Sequence, residues 1–230
     1  DNLNEKLVTA HKELELFSQG LSHDLKAPLR GVDGYAHILK EDHFSSLNKE
    51  GRMAVDTILS SVQEMQDLID NILSFAGVSN ENLSKQVVST DTMVSDILKS
   101  FNIKSNFSNT SVSIDESLPK MLGDRRMLGQ VWSNLIANAL KYSERSSSPA
   151  IEIGYNLKEN ITVYHIKDNG IGFDPKYKEE IFNLFSRHSG DNYQGTGIGL
   201  AIVKKIIEKH NGKIWAESEP GKGSAFYFHV

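Results

Sequence analysis

The sequence predicts two domains in series: an α-helical hairpin that pairs with a second copy into a four-helix bundle, then an α/β two-layer sandwich. Three observations carry this. Apolar residues recur at threes and fours from Leu3 to Leu21 and again from Val55 to Ala76, the spacing of helices that bury one stripe. From Gly77 to Gln86 that pattern lapses into Gly, Ser and Asn, the composition of a linker. Beyond it, stretches with period-two alternation are interleaved with helical ones, which places strands and helices in layers around one core. The division falls near residue 80, giving a helical domain over 1–80 and a second domain over 81–230.

The first helix follows from Leu3, Leu7, Ala10, Leu14, Phe17 and Leu21, an a/d seam of about three heptads. The second follows from Val55, Ile58, Val62, Met65, Ile69, Ile72 and Ala76, with a polar loop from Glu41 to Gly51 between them. One antiparallel hairpin leaves both stripes half covered, and a second copy buries the rest. In the second domain, strands are expected over Ser111–Ile114, Ile151–Leu157, Ile161–Lys167, Lys213–Ser218 and Ser224–Val230. Helices are expected over Asp91–Phe101, Asp124–Tyr142, Pro175–Phe185 and Gly199–His210.

Composition narrows the function classes. A net charge of −5 over 230 residues, with both signs interspersed, speaks against nucleic acid as the partner. The absence of cysteine excludes disulfides and thiolate metal sites and suits a reducing compartment. No apolar run approaches the roughly 20 residues of a membrane helix, and no signal-peptide pattern opens the chain. A soluble, cytoplasmic portion is expected. The chain opens inside a helical pattern, so an upstream region is expected as well.

Of eight histidines, His23 stands apart through its surroundings, FSQGLSHDLKAPL over residues 17–29. Extending the register puts Leu7, Leu14 and Leu21 at a and His23 at c, facing solvent. Neutral imidazole is available near pH 7 and can attack phosphorus once its other nitrogen is held by an acceptor. Asp24 is the nearest acceptor, and Pro28 is expected to loosen or bend the helix. Alone, an exposed His-Asp pair reads as a solvated helix face. Residues 17–29, however, resemble the H box of sensor histidine kinases of the dimerisation-and-phosphoacceptor type. The resemblance implies that His23 accepts a phosphoryl group, that Asp24 assists as base, and that the hairpin forms a homodimeric four-helix bundle.

Three segments of the second domain suggest a phosphate-handling site. In QVWSNLIANALKY, residues 130–142, Asn134, Asn138 and Lys141 form a polar row beside the apolar face. An asparagine carbonyl plus nucleotide phosphates suits Mg²⁺, a hard cation that keeps several waters, and Lys141 offsets phosphate charge. In DNGIGFD, residues 168–174, Gly170 and Gly172 permit close backbone approach, and a buried Asp168 would accept from an exocyclic amine such as that of adenine. In GTGIGL, residues 195–200, closely spaced glycines open a helix, whose free amides and dipole suit an anion. The pattern is not the dinucleotide fingerprint, and no Walker A sequence occurs.

In this order and spacing the three segments resemble the N, G1 and G2 boxes of the GHKL (Bergerat) ATP-binding fold of histidine kinases, Hsp90, type II topoisomerases and MutL. Phe182 and Phe185 fit the intervening F box. The resemblance implies ATP and Mg²⁺, with Asn138 as metal ligand and Asn134 nearby. It puts Lys141 on phosphate and Asp168 on adenine. Gly170 and Gly172 would shape the adenine side, and Gly195, Gly197 and Gly199 the phosphate side. Tyr142, Thr196 and Leu200 fall inside the same boxes and join the nucleotide set. The polar stretch from Phe185 to Gln194 matches the ATP lid, from which Arg187 and His188 could approach the γ-phosphate.

The expected activity is autophosphorylation of His23, followed by transfer to an aspartate of a response-regulator receiver domain. Family members that also dephosphorylate their regulator often carry Thr or Asn four residues after the phosphoacceptor. Here that position is Ala27, which predicts weak or absent phosphatase activity. Two other classes share the fold: an ATPase that drives clamping, and a dimeric scaffold without transfer. The Ser22-His23-Asp24 context argues against the first, and the intact Asn138, Asp168 and glycine loops argue against the second.

Overall fold

The computed structural model describes residue 20, residues 24–187 and residues 195–230, with the side chains of Asn80 and Lys104 left aside. The Leu3–Leu21 seam, His23 and His188 lie outside the described residues. The chain divides at Gly77/Val78 into two compact units, and residues 195–196 group with the first.

The first unit is a hairpin of helix α1, residues 24–41, and helix α2, Lys49–Asn80. Helix α1 runs unbroken through Pro28. The loop is shorter than the polarity of residues 41–51 suggests, because Asn48 starts α2 early: its Oδ1 accepts from the Gly51 N–H, 2.8 Å, an N-cap that satisfies an orphan donor of the first turn. Arg52 fastens the 3₁₀ turn Phe44–Ser46, donating to the carbonyls of Phe44 and Leu47 while its guanidinium sits 4.9 Å from the Phe44 ring centroid. Ion pairs Lys26–Asp70 and Lys40–Asp56 fix the antiparallel register. Ala36, Val55, Val62 and Ile69 are buried inside the hairpin. A second set, with Leu25, Val32 and Leu39 on α1 and Ile58, Met65 and Ile72 on α2, is 36–49% exposed.

The second unit holds a five-stranded sheet. Its strands are β2 (Ser111–Ile114), β4 (Ala150–Lys158), β5 (Ile161–Asp168), β6 (Lys213–Glu219) and β7 (Gly223–His229). Their order is β2-β4-β5-β7-β6, with β2 and β4 parallel and every other pair antiparallel. A two-stranded ribbon, β1 (Lys85–Val88) with β3 (Met121–Asp124), accompanies it. Helices α3 (Thr90–Ser100), α5 (Arg125–Ser143) and α6 (Gly199–Lys209) form the second layer, with a single turn α4 (Ile103–Asn106) between α3 and β2. Trp132 of α5 is fully buried, edge-on to Tyr164 and Phe228 of the sheet.

Asp124 caps α5, its Oδ1 accepting from the N–H groups of Arg126 and Met127. The Asp124 N–H itself donates to Nε2 of buried His210, 3.0 Å. At Gly123 a Cβ would lie 2.7 Å from the same ring, so glycine is what allows His210 to sit there. The β4–β5 hairpin turns through Glu159 and Asn160, both at positive φ (51° and 67°), the left-handed pair that a two-residue turn requires.

Three expectations need correction. Residues 77–80 are helical and Lys85 already begins β1, so the non-helical connection shrinks to 81–84. Val78 is buried, and Lys209 caps the carbonyls of Val78 and Ser79, which holds the helix past its glycine. Residues 175–185 form two 3₁₀ turns, Pro175–Tyr177 and Glu180–Phe182, instead of one α-helix. Ile181 and Phe182 turn inward together, Phe182 edge-on to Phe226, and Asn183 leaves extended. Strands β1 and β3 were not expected at all, being four residues long with little alternation.

Candidate nucleotide-binding site

Helix α5 supplies the first wall. Leu128, Val131, Trp132, Leu135, Ile136, Ala139 and Leu140 are buried, and this leaves Asn134, Asn138, Lys141 and Tyr142 half-buried along one edge. Asn134 Nδ2 donates to the Gln130 carbonyl, 2.9 Å, and its Oδ1 lies 2.7 Å from where a Cβ on Gly199 would stand. A side chain at residue 199 would therefore displace the Asn134 amide from the start of α6. Lys141 Nζ donates to the Tyr142 hydroxyl, 3.1 Å, and sits 4.4 Å from that ring's centroid. Asn138 makes no protein hydrogen bond among the described residues, so its carbonyl is available to a ligand.

The second wall starts where β5 ends. Asp168 is 9% exposed, and its Oδ1 accepts from the Gly170 N–H, 2.9 Å. Burial pushes its carboxyl up from 3.8 to about 6, against the opposing pull of backbone donors at Gly170 and Ser224. The turn after it is stitched to the end of α5. The Ile171 N–H donates to the Tyr142 carbonyl, and a Cβ on Gly170 would stand 2.2 Å from that oxygen. Gly172 adopts φ +61°, and a Cβ there would meet the Glu219 carbonyl at 2.2 Å.

A cavity opens between these walls, lined by Tyr142, Ile171, Gly172, Phe173, Ile181, Ser186, Arg187, Leu200, Ser224 and Phe226. Ser224 is the β7 register partner of Asp168, so the buried carboxyl adjoins the cavity. Gly197, at φ +70°, packs on the backbone of Phe185, itself at φ 60°.

The structure thus brings Tyr142, Gly172, Arg187 and Leu200 to one cavity, with Asp168 and Gly170 beside it. Asn134 meets Gly199 at the mouth of α6. Gly195 and Thr196 fall in the first unit, where Thr196 Oγ1 accepts from the Asn71 amide, 3.2 Å. Asp24 is exposed on α1. Sequence reasoning missed Gly223, whose Cβ would stand 1.9 Å from the Asp168 carbonyl. It also missed the apolar lining residues Ile171, Phe173, Ile181 and Phe226. The Gly221-Lys222-Gly223 run before the last strand was the available signal for the glycine; the lining residues read only as core.

Among the described residues no group of three or more His, Cys, Asp or Glu could hold a metal. A magnesium ion held by nucleotide phosphates needs no such cluster, and the unpartnered Asn138 carbonyl is a suitable hard donor. The residues present fit a Mg²⁺–nucleotide complex.

Comparison with known proteins agrees with this geometry. Residues 13–81 match the family model described as His Kinase A (phospho-acceptor) domain. Residues 123–230 match Histidine kinase-, DNA gyrase B-, and HSP90-like ATPase. The chain is 40% identical over 229 residues to cyanobacterial phytochrome B of Nostoc sp., covering 98% of this chain and 30% of that protein. It is 28% identical to the sensor protein kinase WalK of Staphylococcus aureus, over 94% of this chain and 36% of that protein. The structure of full-length ShkA in complex with AMPPNP superposes with a TM-score of 0.71 at 25% identity, over 93% of this chain and 45% of that one. The chain spans about a third of the length of the curated relatives it matches.

Proposed function

Because this chain belongs to the histidine kinase family, as a phospho-acceptor domain joined to an ATPase-type nucleotide-binding domain, we propose that it uses ATP to phosphorylate His23 and passes the phosphoryl group to an aspartate of a response-regulator receiver domain. One observation carries the reading: a buried acceptor, Asp168, and glycine turns adjoin one cavity at the end of α5, the helix whose half-buried edge carries the hard oxygen donor Asn138, in a chain that also bears the His23 motif. The AMPPNP held by the structurally similar ShkA supports an adenine nucleotide as ligand.

In the proposed reaction Asp168 accepts a hydrogen bond from the adenine amine, and Tyr142, Ile171 and Phe226 flank the ring. Lys141 and the α6 N-terminus offset phosphate charge. Asn138 would hold Mg²⁺, which neutralises charge on the phosphate oxygens when bound. A ring nitrogen of His23 attacks the γ-phosphorus. The N–P bond forms as the bond to the β-bridging oxygen breaks, ADP leaves with that electron pair, and Asp24 holds the proton on the other ring nitrogen. Catalysis is mostly positioning and charge stabilisation.

Residues 1–80 act as the dimerisation and phosphotransfer domain and residues 81–230 as the catalytic domain. The half-exposed rows Leu25–Val32–Leu39 and Ile58–Met65–Ile72 supply the face that a second copy covers, completing a four-helix bundle. Among the described residues no helix is long and apolar enough to cross a membrane. ATP and receiver domains place this portion in the cytoplasm, downstream of a sensory region. Ala27, lacking a polar group to position water, leaves phosphatase activity weak.

Incubation with [γ-³²P]ATP and Mg²⁺ tests the reading, comparing the chain with His23→Gln and Asn138→Ala. Acid-labile, alkali-stable label lost in both variants is expected. Label that survives His23→Gln would place the phosphoacceptor elsewhere; ATP binding without any label would favour the clamp or scaffold class.

A further inference from the structure

We infer that the pivot between the two units is Gly77, inside helix α2, and not the non-helical connection at residues 81–84. Five features tie residues 78–85 to the second unit. The Val78 side chain is 3% exposed. Lys209, at the end of α6, donates from Nζ to the carbonyls of Val78 and Ser79 at 2.6 and 2.8 Å. Glu81 pairs with Arg126 on the first turn of α5. The Ser84 N–H donates to Asp124 Oδ2, 3.2 Å, and Lys85 then enters the β1–β3 ladder opposite Asp124.

The connection that looks free to swing is therefore held at both ends. The last turn of α2 has no basic residue of its own, so the Lys209 ammonium supplies the charge that a helix C-terminus favours and satisfies carbonyls that lack intrahelical partners. The division between units falls at Gly77/Val78, inside a continuous helix. Glycine is the weakest residue in a helix interior apart from proline. A break there costs least, and the turn beyond it travels with the catalytic unit. Lys209 is the latch and Gly77 the joint. The use of this joint in bringing nucleotide to His23 rests on the kinase reading above; its existence does not.

The chain has no cysteine, so Ser61→Cys and Lys158→Cys place one spin label on each unit. Double electron–electron resonance, with labelled chains diluted in unlabelled protein, reads the width of the distance distribution. Gly77→Ala should narrow it, with about fivefold fewer broken-helix molecules. Lys209→Met should broaden it by freeing the last turn. A Gly-Gly insertion after Asn82 should leave it unchanged, because Glu81 and Ser84 remain anchored on either side. An insertion that broadens the distribution as much as Lys209→Met, or a Gly77→Ala distribution of unaltered width, overturns the inference. No phosphoryl transfer is needed for the measurement, so loss of the kinase reading would not be mistaken for loss of the joint.

Discussion

Replacing Asp168 by asparagine should stabilise the protein while weakening its hold on nucleotide. The carboxyl titrates near 3.8 in the unfolded chain and at about 6 in the fold, with burial as the main cause. Between those values the folded state keeps a proton that the unfolded state has lost. The stability this group contributes is therefore full below pH 3.8 and is lost as pH rises through about 6. At pH 7.5 the ionised carboxylate costs the fold about 3 kcal/mol. Asparagine removes the charge and can still accept from the Gly170 N–H. Its amino group then faces the Ser224 N–H, which returns about 1 kcal/mol of the gain. The net is about 2 kcal/mol, or a rise of roughly 4–8 °C in Tm for a unit of this size. At pH 5 the wild-type cost is about halved and most of the advantage disappears. Calorimetric melts of both proteins at the two pH values read this directly, and titration with ATP should show affinity about ten- to a hundredfold weaker. A Tm that falls at pH 7.5, or a gain equally large at pH 5, would refute the account of a buried, destabilised carboxylate.

Gly170→Ala drives a Cβ to 2.2 Å from the Tyr142 carbonyl, so the turn must leave α5; isothermal titration should show ATP binding at least about tenfold weaker. His210→Leu leaves the Asp124 N–H without its acceptor, and urea melts should show a loss of about 1–3 kcal/mol. Met65→Glu puts a charge on the half-exposed row of α2; light scattering should find the unaltered chain dimeric and the variant monomeric, with the helical content retained.

Five strands could be read from the sequence because each of β2 and β4–β7 alternates or pairs in a hairpin whose turn is short. The ribbon β1–β3 could not. Val88 and Met121 are its only fully buried apolar side chains, and what makes it a ribbon is pairing between residues 39 apart at Lys85↔Asp124 and 33 apart at Val88↔Met121, which local pattern does not encode. Residues 175–185 misled for a related reason. Ile181, Phe182 and Phe185 have helical spacing, yet tertiary packing of Phe182 on Phe226 and the left-handed Phe185 override propensity. The polar half of the candidate site, Asn134, Asn138, Asp168 and the glycines, could be proposed from the sequence because those residues contradict their surroundings. The apolar half was not, because Ile171 and Phe226 obey them.

That contrast supports the candidate site without appeal to any relative. A chain selected only for stability would avoid an ionised carboxylate at 9% exposure, an aromatic at φ 60°, and glycines at which any Cβ would stand under 3 Å from a carbonyl or an amide oxygen. Most of those departures gather in one place, although Gly212, whose Cβ would stand 1.9 Å from the His229 carbonyl, is outside it. Asp168, Gly170, Gly172, Gly197 and Gly223 border the cavity or pack on a residue beside it. Local strain and buried charge persist only where the surrounding structure over-determines them. Here the surrounding structure is the end of α5, whose Tyr142 carbonyl anchors the Asp168 turn and whose Asn134 seats the start of α6. The helix that presents the asparagine row is thus also the scaffold that holds the two glycine turns in place. A substitution that shifts α5 by a fraction of an ångström should disturb the proposed adenine and phosphate contacts together rather than one at a time.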